Sequence, residues 1–431
     1  ICLVVLLSIG SSWKSAVSAA DSLTIDQVIS EVIKSNNRAE AARCMARSAE
    51  ENASSVGRWK NPMLMFGIQN TPTNFDLDMD PMTMKMVGLS QDIPYSGYLG
   101  LQRRSALADA RSAEAERSGV EIDLATAARL AFLDLYYQQE LLGHLRAQQR
   151  LTIEMVEAVT SKYRANQATH DEVLSAQSSQ WRIESTILSA EQAIDAARYE
   201  LNTLRGLPPD APLPALADHG LQTFPASVSE WISGAEANYP EFRRLSSKAE
   251  SYQLSAAASR RMNWPMLNLQ AEYGFRSGYE LDEHGNAGEP RDDMISLRAT
   301  FSLPIFSRGA QKAMARSMEA MNQSNLRELE QARRDTEAAL RSLHQRAARL
   351  SQSIELYSGR ILPTSEDAYR SALAGYSANR TTLSNLLNYG VAIISDKTTL
   401  TELKAELART LAEASRYFTD PSSYMLNNSG R

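Results

Sequence analysis

Cysteine is nearly missing from this chain of 431 residues, which has only Cys2 and Cys44. Cys2 lies in an opening apolar run that is expected to be removed, so Cys44 has no partner for an intramolecular disulfide. No metal-ligand spacing surrounds Cys44, and it reads as a small buried apolar residue. Histidine is also sparse: His144, His170, His219, His284 and His344 fall in separate elements. There is no H-E-x-x-H, G-x-S-x-G or phosphate-cradling loop, so no catalytic constellation forms and no enzyme is expected. A charge excess of one sign is lacking, because the net charge of −6 is spread over well-mixed residues. With no basic stripe set apart from acidic neighbours, nucleic acid is excluded as a partner. Long hydrophobic runs are missing too. The run from Ile1 to Ile9 is far short of the ~20 residues that a spanning helix needs. It leads to Ser-Ala-Val-Ser-Ala-Ala before Asp21, which predicts an export signal over 1–20. The basic segment that opens such a signal is missing, so residues preceding Ile1 are expected.

Proline is absent from about 97 to 163, where apolar residues recur in three- and four-residue steps: Leu124, Ala128, Ala131, Leu135, Leu142, Leu145, Val156, Val159, Tyr163. This heptad-like stripe predicts one helix of roughly 100 Å, too long for an ordinary domain. The same spacing returns from about 308 to 376 (Leu326, Leu329, Thr336, Leu340, Leu343, Leu350, Ile354, Tyr357, Ile361), with Pro363 as the expected kink. Around these helices the chain repeats a series of elements. Residues 21–205 read as helix to about 59, strands at about 62–70 and 84–93, the long helix, and a helix at about 170–204. A proline-rich linker over 206–225 follows. Residues 226–418 read as helix at about 228–261, strands at about 266–275 and 294–303, the second long helix, and a helix at about 383–418. The halves are offset by roughly 203 to 213 positions, an internal duplication. Residues 419–431 read as a loose tail.

Each of the four strands alternates apolar with polar residues, as in Leu267, Leu269, Ala271, Tyr273 and Phe275 against Asn268, Gln270, Glu272 and Gly274. Lipid on one side and water on the other impose that pattern, and the strand lengths suit a membrane crossing. A small soluble sheet packed on helices would also alternate. Four strands cannot close, and open edges are not tolerated in hydrocarbon, so three copies forming a barrel of twelve strands are expected. Aligning the halves on Pro62 with Pro265 and Pro94 with Pro304 turns Leu64, Phe66 and Ile68 toward lipid. Met63, Met65, Met84 and Met86 then face the lumen, where thioethers would suit soft cations.

The element order, the duplication, and the turns Tyr163-Arg164-Ala165-Asn166 and Tyr376-Ser377-Ala378-Asn379 resemble the TolC family of outer-membrane efflux proteins over essentially the whole mature chain, after the export signal. The stretch Gly88-Leu89-Ser90-Gln91-Asp92-Ile93-Pro94-Tyr95 resembles its heavy-metal efflux branch, typified by CzcC and CusC. The resemblance implies a mainly α fold with a transmembrane β-barrel. That is a trimeric, twelve-stranded outer-membrane barrel continued by a long periplasmic α-helical barrel, with two structural repeats per chain. It implies a passive exit duct without cofactor, in a Gram-negative outer membrane, served by a periplasmic adaptor and an inner-membrane pump of the RND type. It makes Tyr163, Ala165, Asn166, Tyr376, Ala378, Asn379 and Arg380 the adaptor-docking tip. Gate positions fall on Asp171, Glu172, Asn385 and Asn388. The second pair departs from the carboxylates that the family often carries there. A periplasmic coiled-coil scaffold without a pore is the alternative.

Overall fold

In the computed structural model, residues 22–73, 75, 77, 80, 82–218, 227–281, 287–378 and 380–418 are described. The export signal, the tail, Asn379 and part of the linker therefore lie outside the described residues. The chain is mostly helical, and its described residues add a four-stranded sheet and a two-stranded one. Its first half runs α1 (Ile25–Ser35), α2 (Asn37–Ser55), β1 (Met63–Gln69), β2 (Met84–Ile93), α3 (Tyr98–Arg164) and α4 (His170–Leu204). The second runs α5 (Val228–Asn238), α6 (Pro240–Arg261), β3 (Met266–Arg276), a short hairpin of β4 (Tyr279–Leu281) and β5 (Ala287–Pro290), and β6 (Met294–Ser302). It ends with α7 (Arg308–Leu356), α8 (Leu362–Ser377) and α9 (Leu383–Phe418). The compact units ignore the midpoint: one takes residues 1–40, 120–238 and 336–431, the other 41–119 and 239–335.

Two helices expected to be continuous are broken, and a third is widened beside the proline expected to kink it. The first breaks at Asn36, whose backbone is extended and whose Oδ1 accepts the Arg38 N–H at 2.9 Å, so its side chain starts α2 instead of prolonging α1. The second breaks at Tyr239, held extended (φ −66°, ψ 115°) by the proline that follows it and opens α6. The third carries a π-helical turn, Tyr357–Ile361, just before Pro363. There the Leu362 N–H reaches back five residues to Tyr357. Pro363 has no N–H to give and its ring crowds the carbonyl four residues earlier, so the wider turn accommodates the ring without ending the helix. The hairpin of β4 and β5 was not expected. Cys44 is exposed, not buried, because it falls on the outer face of α2.

In the first unit, α3 is the central stave. On one side Ala128, Phe132 and Leu135 pack with α1 and with Leu201 of α4. On the other, Leu133 and Tyr137 pack on Ala405, Ala408 and Ala412 of α9. Ion pairs Asp134–Arg409 and Asp123–Arg416 flank this second seam. Beyond α9, Leu407 meets Ala347 and Leu350 of α7. The lateral order is therefore α4, α3, α9, α7. In the second unit, a ladder of serine hydroxyls (Ser105 to Ser251 and Ser255, 3.1 and 2.7 Å) and the Lys248–Asp109 pair at 2.8 Å join α3 to α6.

Candidate functional site

The second unit holds an antiparallel sheet in the order β1-β2-β3-β6. Its register sorts the residues into two faces, since directly opposed residues share a face. Leu64, Phe66 and Ile68 stand opposite Leu89, Val87 and Lys85, and the same face continues through Tyr273, Ala271 and Leu269 to Ile295, Leu297 and Ala299. This face is apolar and open: Phe66 is 75% exposed and Leu297 80%. Lys85 and Gln91 are its two polar members, and each lies within two residues of an end of β2. Gln91 donates to the Lys60 carbonyl at 3.0 Å.

Met63, Met65, Met84 and Met86 all fall on the opposite face, in register with Ser90, Gly88, Gln69 and Gly67. Glu272, Gln270 and Asn268 of β3 and Met294, Ser296 and Arg298 of β6 continue that face. Polar groups there bond to one another, Asn268 donating to Asp92 at 2.8 Å and to Ser90 at 3.0 Å. This face is the more crowded. A Cβ on Gly88 would lie 2.6 Å from Cγ of Glu272 and 2.8 Å from the Ala271 carbonyl, so the close approach of β2 to β3 requires glycine. Met84 is buried at 8% and its sulfur sits 3.1 Å from where a Cβ on Gly274 would be, whereas Met63 is open.

The first unit holds the two helix reversals. After α3, the Gln167 N–H bonds the Lys162 carbonyl at 2.8 Å and the Asn166 N–H bonds that of Tyr163 at 3.0 Å. With Asn166 at φ 58° this is a Schellman ending, which asparagine enters more readily than other side-chain-bearing residues. Two residues on, Thr169 begins α4: its N–H bonds Glu172 at 3.0 Å, and its hydroxyl bonds Asp171. That hydroxyl is the main cause holding the Asp171 carboxyl below its ordinary value. The second reversal repeats the five-residue step, Arg380 N–H to Gly375 carbonyl at 2.7 Å. Thr382 then caps α9 by accepting the Asn385 N–H at 3.3 Å. Asn385 thus takes the place of Glu172 in the first reversal.

The reversals are neighbours. Lys162 Nζ lies 5.8 Å from the Tyr376 ring centroid, and Met155 and Ala158 of α3 pack with Tyr376, Leu386 and Leu387. Tyr163, Ala165, Asn166, Asp171, Glu172, Ala378, Arg380, Asn385 and Asn388 are exposed, and Tyr376 is half-buried. Asn379 lies outside the described residues.

Leu174, Trp181, Leu188 and Tyr199 of α4 are all exposed, Trp181 at 63%. Steps of seven, seven and eleven put them within about 40° of one another around the helix. Ala176, Ile187 and Leu201 are buried on the far side. An α4 that is apolar on two sides resembles a stave with one neighbour missing. The spacing of seven was legible; the proof that this side is open needed the packing of the other.

Among the described residues no helix is long and apolar enough to cross a membrane. No protein-family model matches this chain, and no curated protein matches its sequence. Solved structures do match. The outer-membrane channel OprN is 16% identical with a TM-score of 0.70, covering 91% of this chain and 89% of its own. CusC, solved for conformational changes accompanying folding and transmembrane channel formation, is 15% identical with a TM-score of 0.73, covering 92% of each chain. The outer membrane protein VceC from Vibrio cholerae is 15% identical with a TM-score of 0.72, covering 91% of this chain and 95% of its own. At these identities it is the architecture that is shared: this chain has the fold of the outer-membrane channels, the fold of the TolC family.

Proposed function

We propose that three copies of this chain form the outer-membrane exit duct of a tripartite efflux system, passive and without cofactor. The observation that carries the reading is the four-stranded sheet, whose apolar face is exposed and whose outer edges, on β1 and β6, have no further strand beside them among the described residues. Unpaired backbone groups cannot stand in hydrocarbon, so the sheet must continue into other copies. Strand directions alternate across it, so β6 of one copy meets β1 of the next antiparallel, and three copies close a barrel of twelve strands. The α4 stripe makes the same demand in the helical layer, where α4 is one margin and α7 the other. A water-soluble scaffold would leave both the sheet face and this stripe uncovered.

In this reading the polar face lines the lumen and the apolar face meets lipid. Lys85, one residue from its strand end, extends its ammonium toward the interface. The reversals form the periplasmic tip: Tyr163, Ala165, Asn166, Tyr376, Ala378, Asn379 and Arg380 meet an adaptor fed by an inner-membrane pump of the RND type. Asp171 and Glu172 supply the acid at the gate, while Asn385 and Asn388 leave the second reversal neutral. The cargo that the lumen favours is a soft heavy-metal cation, because thioethers stand on a face otherwise built of amides, hydroxyls and charges.

Native mass spectrometry of the full chain in detergent tests the assembly, with a trimer expected and a monomer overturning it. Trp181→Ser with Leu188→Ser should weaken the trimer while leaving the helix content of each chain unchanged, since neither side chain is buried within the chain.

A further inference from the structure

The charge of the chain reverses sign at one level of the fold. Although the net charge is −6, the four segments where helices meet the sheet contain no carboxylate at all: residues 52–62, 94–108, 251–265 and 303–318. Each of them carries at least two cations. Arg58 and Lys60 lie between α2 and β1, and Arg103 and Arg104 in the second turn of α3. Arg260 and Arg261 end α6, and Arg308 and Lys312 begin α7. All eight are exposed. Few acids reach this level from outside the segments: Asp92 lies 3.6 Å from Lys60, and Glu319 pairs with Arg260.

Three of the segments come together in the fold. One cavity of about 490 Å³ is lined by Arg58 and Lys60 from the first, Tyr98 and Leu99 from the second, Met262 with the adjoining Met266 from the third and β3, and Asp92 of β2. Arg58, Lys60 and Asp92 are the charged groups of its wall, with one cation in excess, and Tyr98, Leu99 and the two methionines make its apolar part. Trp59, Trp264 and Phe306, all exposed, stand in the same segments, and aromatic residues of this kind settle at the headgroup level of a membrane.

We propose that this collar binds anionic phospholipid of the leaflet facing the periplasm, one headgroup phosphate lying between Arg58 and Lys60 with its acyl chains along Tyr98, Leu99 and Met266. The proposal rests on reading the sheet as membrane-inserted. Charge complementarity chooses the occupant: a band of eight exposed cations beside a membrane edge, in excess over the Asp92 and Glu319 carboxylates that reach it, attracts anionic headgroups and has no matching attraction for zwitterionic ones.

The test uses the detergent-solubilised full chain, mixed with equal amounts of phosphatidylglycerol and phosphatidylcholine and read by native mass spectrometry. The wild type should retain phosphatidylglycerol about tenfold over phosphatidylcholine. R58Q/K60Q should lose a large part of that preference, and R58Q/K60Q/R103Q/R104Q nearly all of it. Equal retention of the two lipids by wild type overturns the proposal, as does a preference unchanged in both variants. The same spectra, with conductance in planar bilayers, separate the two readings. A conducting trimer without lipid preference removes the collar alone, whereas a chain that neither assembles nor inserts removes the duct and the collar with it.

Discussion

Leu297 sits fourth among the nine residues of β6, opposite Ala271, and is 80% exposed in the single chain. If that exposure faces hydrocarbon, Leu297→Arg puts a cation near the middle of the bilayer, where it costs ~2–4 kcal/mol. Taking about 3 kcal/mol, the folding equilibrium in lipid shifts by roughly 100-fold per chain. If the sheet belonged to a soluble scaffold, the same substitution at an exposed position would fall within about 0.5 kcal/mol. Ser296 supplies the control. One residue earlier and on the other face, it stands opposite Glu272, so Arg there gains an ion pair worth ~0–1 kcal/mol in contact with water. Guanidinium titration of each variant in phosphatidylcholine vesicles, followed by tryptophan fluorescence, measures both. The reasoning fails if Leu297→Arg destabilises no more than Ser296→Arg, because alternation across the sheet would then carry no difference between lipid and water.

The strands were legible because alternation is a strong local signal: β2 occupies residues 84–93 as read, and β3 and β6 differ from expectation by one residue at an end. The long helices were legible because their apolar stripes repeat over many turns. What escaped were events that depend on one side chain or on another segment. The break at Tyr239 follows from Pro240, a signal present in the sequence but weaker than the periodicity on either side of it. The break at Asn36 is fixed from outside α1, by its amide donating to the Leu204 carbonyl at 3.1 Å. At Pro363, where the sequence predicts a kink, the chain makes a π turn and continues as helix. Cys44 was misplaced because residue type suggests burial, whereas the face of α2 decides it. Of the candidate site, the pairing of the two reversals is implied by the family resemblance and not by the residues, since it arises from α3 lying against α8 and α9, more than 200 positions apart along the chain.

Asn166→Ala should cost ~1 kcal/mol in thermal unfolding, with Asn166→Gly near neutral, because φ 58° suits glycine and asparagine; equal losses would remove the Schellman account. The Asp171 carboxyl has its pKa depressed in the folded chain, so its contribution is present above the ordinary value of 3.8 and is lost as pH falls below it. Asp171→Asn should therefore show at neutral pH the faster hydrogen exchange at the start of α4 that wild type shows only in acid, and unchanged exchange counts against it. In the proposed trimer, Asn385→Asp with Asn388→Asp adds two carboxylates per chain, six in all, beside the proposed gate residues Asp171 and Glu172; cation-over-anion permeability in planar bilayers should rise, and an unaltered reversal potential would count against a place for these residues at the pore. The methionines divide by environment. Met84 fills the gap over Gly274 and acts as packing, so Met84→Leu should leave copper and silver tolerance unchanged in cells dependent on this duct. Met63, Met65 and Met86 share the polar face with less burial, and three thioethers there can hand a soft cation along the wall, so changing all three to leucine should lower that tolerance while trimer mass and conductance to potassium stay the same. Tolerance equal to wild type in the triple variant would leave these three thioethers as apolar filler, and tolerance still unchanged when Met266→Leu and Met294→Leu, the thioethers that β3 and β6 add to that face, are included would withdraw the soft-cation cargo.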